Sequence, residues 1–135
     1  MNADFNYQSS YLFVYGTLLD DGNEFGVYLK NNSQFFTNGR FKGVLFDLGE
    51  YPGAIYRPGD ETYVYGSVFI LKEPDKVLKM LDTYEGFGEN ENQPNLFTRE
   101  LIGVETGNEP AACWVYLYNL PVDNFPEITQ GRYSI

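Results

Sequence analysis

Thr62-Tyr63-Val64-Tyr65-Gly66-Ser67-Val68-Phe69-Ile70-Leu71 reads as a strand, and its two faces decide where that strand lies. Alternation places Val64, Gly66, Val68 and Ile70 on one face and Tyr65, Ser67, Phe69 and Leu71 on the other. Both faces are largely apolar. A strand that is apolar on both sides belongs in the interior of a sheet, covered above and below. Arg57-Pro58-Gly59-Asp60 supplies the turn before it. Glu73-Pro74 follows directly and opens a helix, with proline in the first turn and acids near the positive end of the helix dipole.

Working outward, Val77, Leu78 and Leu81 give that helix an apolar stripe, and Gly86 and Gly88 end it. Upstream, Gln34–Gly39 and Arg40–Phe46 read as a strand pair or one bent strand, and Ala54–Tyr56 as a short strand after the Tyr51-Pro52-Gly53 turn. Tyr11–Tyr15 is a buried strand stopped by Gly16, and Asn23–Lys30 a short helix capped by Asn23. Downstream, Leu96–Glu105 and Ala111–Tyr118 are strands joined by a turn around Gly107-Asn108. The tally is about six strands and one main helix. Short strands with glycine-rich turns point to an α+β fold, a small barrel or strongly bent sheet with the helix packed beside it.

The 135 residues fit one domain, 1–135, large enough to bury roughly two-thirds of its unfolded surface. A net charge of −10 argues against nonspecific binding to nucleic acid or to anionic membranes. No apolar run approaches the length of a membrane span, and the N-terminus lacks the pattern of a signal peptide, so a cytoplasmic location is expected. The chain has no histidine and one cysteine, Cys113. That removes histidine bases, Ser-His-Asp triads, a thiolate metal cluster and an intrachain disulfide. Acid/base chemistry must then use a carboxylate, a tyrosine, a lysine or the thiol. Cys113, between Ala112 and Trp114 with no basic neighbour, reads as a core thiol.

Two segments can carry chemistry. In Tyr15-Gly16-Thr17-Leu18-Leu19 a strand ends at glycine, where successive backbone N–H groups can converge on an anion; a plain turn is the competing reading. In Leu81-Asp82-Thr83-Tyr84-Glu85-Gly86, Asp82 and Glu85 share one face of a helix end. The negative end of the dipole and the flanking Tyr84 and Phe87 would raise the pKa of Glu85; a solvated helix-end acid is the alternative. Asp82 reads as a structural acceptor for nearby backbone. Arg99 could pair a carboxylate, as one half of a surface ion pair. Tyr116 and Tyr118 read as core residues with polar tips, one of which could reach a pocket.

Taken in order, Tyr15-Gly16-Thr17-Leu18, Tyr51-Pro52-Gly53-Ala54, Tyr65-Gly66-Ser67-Val68, Leu81 to Gly86, Phe97-Thr98-Arg99, Ala112 to Tyr116 and Gly131-Arg132-Tyr133 resemble the γ-glutamylcyclotransferase-like superfamily. Within it the chain is most similar to the branch of γ-glutamylamine cyclotransferase and the avirulence-induced-gene-like proteins. The resemblance runs from about Tyr11 to Tyr133. It implies a small mixed barrel with a pocket at one end and an enzyme that converts a γ-glutamyl amide or γ-glutamylamine to 5-oxoproline and a free amine. It implies Glu85 as the catalytic acid/base and Tyr15, Gly16, Thr17 and Leu18 as substrate-binding residues; Tyr118, of the two strand tyrosines, is expected to join them. It implies a small-molecule γ-glutamyl substrate, no cofactor and no metal. Phe97 stands where the family pattern has tyrosine, and Gly131-Arg132-Tyr133 replaces an acidic-aromatic ending. A non-catalytic module that binds a metabolite or partner in the same pocket is the competing reading, and an aromatic-rich glycan-binding domain is a third.

Overall fold

The strand that opens the argument, Tyr63–Leu71, is an interior strand of a six-stranded sheet in a computed structural model that describes residues 9–16 and 22–133. In chain order the elements are β1 (Tyr11–Val14), α1 (Glu24–Asn31), β2 (Ser33–Asp47), β3 (Pro52–Tyr56), β4 (Tyr63–Leu71), α2 (Pro74–Glu85), β5 (Phe97–Val104) and β6 (Ala111–Tyr118). The sheet runs β3-β2-β4-β1-β6-β5. Only β1 and β6 are parallel neighbours, with Leu12 opposite Trp114; the other pairs are antiparallel.

The two faces of the interior strands are covered differently. On β1, Phe13 joins Phe41, Leu45, Val64, Val68, Val104 and Val115 in one core, and Leu12 and Val14 join Leu29, Leu71, Val77, Leu78 and Leu81 in the other. The first core lies inside the curl of the sheet, and the second lies between the sheet and the helices. Three successive residues of β1 are therefore at most 4% exposed, each contributing on the order of 2 kcal/mol of burial.

The curl comes from β2, which is one bent strand of 15 residues. It shifts register between Phe35 and Thr37, pairs with β4 as far as Lys42, and pairs with β3 from Gly43. Its middle also meets the far end of the sheet: Arg40 N–H donates to Glu105 O (3.0 Å) and Glu105 N–H to Arg40 O (2.8 Å). Gly39 permits this closure, because a β-carbon there would come within 2.6 Å of Val104 Cγ1. The result is the expected α+β curled sheet, with α1 beside the main helix.

Both helix ends that face the site follow from local chemistry. Asn23 caps α1, its Oδ1 accepting from Phe25 N–H (2.8 Å) and Gly26 N–H (3.3 Å). Pro74 opens α2 without a side-chain cap. Gly86, at φ 74°, closes it: Gly86 N–H donates to Thr83 O and Phe87 N–H to Asp82 O. That stop makes Glu85 the last helical residue. Cys113 is fully buried, and burial pushes its thiol up to about 12, consistent with a core role. No helix among the described residues is long and apolar enough to cross a membrane.

Candidate active site

Where β1 ends, Tyr15 and Gly16 turn away from the sheet and form one wall of a cavity of about 170 Å³. Tyr51 and Pro52 close it from the start of β3, and Leu96 and Phe97 from the start of β5. Tyr84 and Glu85 enter from the end of α2, and Tyr116 from β6. Five separate parts of the chain thus converge on the space, and most of what they present is aromatic or aliphatic.

The Tyr15 ring lines the cavity, but its hydroxyl is committed to the backbone. It donates to Tyr116 O (2.6 Å) and accepts from Ala54 N–H (3.1 Å), tying the end of β1 to β6 and β3. Burial, and then the nearby Glu85 charge, raise this phenol above its ordinary range, so the hydroxyl keeps its proton. Gly16 packs against Pro52, whose Cγ would lie 2.9 Å from a β-carbon at position 16. Any larger residue would push the wall inward.

Glu85 is the one carboxylic acid in the lining among the described residues. No described side chain donates a hydrogen bond to its carboxylate. Burial raises it to about 8, with a further push from the negative charge of Asp82. A carboxyl group near 8 is poised to exchange protons with an amine in neutral solution.

Asp82, one turn earlier, has entirely different surroundings. Arg99 on β5 grips it with both arms, Nε to Oδ1 at 2.7 Å and Nη2 to Oδ2 at 3.1 Å. Tyr116 donates its hydroxyl to the same Oδ1 at 2.7 Å. The Arg99 guanidinium lies over the Trp114 ring, 4.5 Å from its centroid. Asp82 therefore serves side chains from two strands rather than nearby backbone, and its ion pair with Arg99 is largely buried rather than at the surface.

Of the residues expected to bind substrate, Tyr15 and Gly16 meet Glu85 at the cavity. Thr17 and Leu18 lie outside the described residues. Tyr118 is not in the lining; it stands behind the wall, with its ring edge-on to Phe97 (5.5 Å) and Phe125 (6.3 Å). The strand-mate that reaches the cavity is Tyr116, because β6 runs past the end of α2 at that residue. Leu96 was not legible as a lining residue, since nothing in its sequence neighbourhood separates it from a polar loop.

Comparisons with known proteins bear on the family and the fold. Residues 12–135 match the family described as γ-glutamyl cyclotransferase, AIG2-like. The chain belongs to that family. The Escherichia coli γ-glutamylcyclotransferase family protein YtfP is 31% identical over 127 residues, spanning 89% of this chain and 92% of its own length. The structure of Bacillus subtilis YkqA superposes with a TM-score of 0.68 at 28% identity over 92% of this chain; the match spans 39% of YkqA. A mouse AIG2-like protein, at 20% identity, shares the fold with a TM-score of 0.69 over 93% of this chain and 88% of that one.

Proposed function

We propose that this protein is a γ-glutamyl cyclotransferase-type enzyme that converts a small γ-glutamyl amide or γ-glutamylamine to 5-oxoproline and a free amine, with Glu85 as acid and base. The observation that carries this reading is Glu85 itself: a carboxyl group that receives no hydrogen bond from a side chain among the described residues, set in a mostly apolar cavity and raised to about 8. Family membership and the place of Gly16 in the cavity wall support it.

The chemistry asks for little beyond what this cavity offers. The substrate's α-ammonium must lose a proton before its nitrogen can attack the γ-carbonyl. A ring C–N bond forms and the amide C–N bond breaks. Two protons in all leave the attacking nitrogen and end on the departing one, with no water consumed. The Glu85 carboxylate takes the first proton and, as the acid, delivers one to the leaving nitrogen. Aromatic walls around a small space favour a curled γ-glutamyl chain, the geometry in which attack is unimolecular and proximity supplies several kcal/mol. Backbone N–H groups at the Gly16 turn hold the substrate's α-carboxylate.

The test is a panel of γ-glutamyl amines, amides and amino acids incubated with the wild-type protein, with 5-oxoproline release as the readout. Release from at least one compound is expected. Thermal protection by a γ-glutamyl compound with no release from any would instead establish a binding module.

A further inference from the structure

The proton affinity of Glu85 depends on what faces it, and the described residues allow those neighbours to be counted element by element. Tyr15 faces it from the end of β1, Tyr51 from the segment before β3, and Tyr116 from β6. Each of these phenols is raised by burial and stays neutral. Glu50, next to Tyr51, is exposed. Asn23 and Phe25 of α1 pack on Tyr84 and carry no charge. Leu96 and Phe97 are apolar. The charge that remains is Asp82, on the same face of α2 and one turn back, and the cation against it is Arg99.

We propose that Arg99 and Asp82 form a positioning pair for Glu85: the guanidinium clamps the carboxylate one turn before it, fixes the last turn of α2 against the cavity, and offsets the negative charge that would otherwise bear on the reacting proton. This inference rests on the cyclotransferase reading of Glu85. Three features of the geometry support it. The clamp is bidentate, so it sets the orientation of the helix end as well as its charge. It is braced, because the guanidinium lies over Trp114 and Asp82 Oδ1 also receives the Tyr116 hydroxyl. It also continues into the site, because Tyr116 lines the cavity while its backbone carbonyl holds the Tyr15 hydroxyl. A chain of contacts thus runs from β5 through α2 and β6 to the Tyr15 wall of the cavity that Glu85 enters.

The sign of the effect follows from charge. Removing Arg99 leaves Asp82 uncompensated and makes Glu85 hold its proton more tightly; removing the Asp82 charge does the reverse. The experiment is the pH dependence of kcat/KM for 5-oxoproline release by wild type, Arg99→Gln, Asp82→Asn, the double variant and Glu85→Gln. The rising limb is expected to move up by about one pH unit in Arg99→Gln, a roughly ten-fold loss at pH 7 that is recovered at higher pH. It is expected to move down in Asp82→Asn, with the double variant displaced less than Arg99→Gln. Limbs that stay at the wild-type position in all three variants, with rates lowered equally at every pH, would overturn the proposal and leave the pair as a purely structural brace. Should Arg99→Gln fail to fold, the direction of the Asp82→Asn limb decides alone. Wild-type turnover retained by Glu85→Gln would overturn the reading of Glu85 instead.

Discussion

Asp82 and Glu85 leave the same face of α2, three residues apart, and have opposite surroundings. The Asp82 carboxylate is taken up by a guanidinium fork and a phenol, in a pair whose side chains are less than one-fifth exposed. Glu85 is turned toward a cavity and has no donor among the described side chains. One carboxylate stitches α2 to β5 and β6; the other is left with a raised proton affinity and space in front of it. The same residue chemistry at one helix end therefore divides into bracing and reactivity according to what the neighbouring strands supply.

The largest expected effect comes from breaking the braced half. Arg99→Ala leaves a mostly buried carboxylate without its cation and should destabilise the fold by about 3 kcal/mol in urea unfolding at pH 7. A cost below about 1 kcal/mol would show that the pair behaves as an ordinary surface ion pair.

A smaller effect, of opposite sign, is expected from the reactive half. Glu85 has a pKa of about 8 in the folded chain against an ordinary value of 4.5. Between those two values the folded state holds a proton that the unfolded state has released. Stability therefore falls as pH rises through that window. Glu85→Gln removes this penalty, so it should match wild type below pH 4.5 and be more stable by roughly 2 kcal/mol at pH 9. That figure is set below the full shift because the carboxyl group faces a cavity reached by water. Identical pH–stability curves for the two proteins would mean that Glu85 titrates as an ordinary acid.

The smallest effect sharpens the comparison by sparing both carboxylates. Asn23 caps α1 and donates to the Tyr84 hydroxyl (2.9 Å), beside Glu85. Asn23→Ala should cost about 1 kcal/mol of stability. A loss of several kcal/mol would show that α1 supports the end of α2 far more than its cap bonds account for.

Much of this arrangement was legible in the sequence. The interior position of Tyr63–Leu71 follows from its two apolar faces, and the end of α2 follows from Gly86. The bend in β2 left a choice between one strand and two, because a glycine reads alike in a turn and in a tightly curled strand. The absence of histidine and the helix-end position make Glu85 a candidate but leave a solvated acid as the alternative; its expected role as acid and base comes from the family resemblance. The pairing of Asp82 with Arg99 was not legible. It joins residues 17 positions apart through the curl of the sheet, and neither residue type nor spacing encodes that meeting. Tyr116 and Tyr118 share one strand face, so sequence periodicity could not choose between them; the place where α2 ends against β6 does.

The most direct test of the central claim is 5-oxoproline release by Glu85→Gln beside wild type at pH 8, from whichever γ-glutamyl compound the wild type turns over. The account predicts a loss of at least about 100-fold in kcat while the variant remains folded and still binds the compound. Release at the wild-type rate by Glu85→Gln would contradict it and move the acid/base role to another residue.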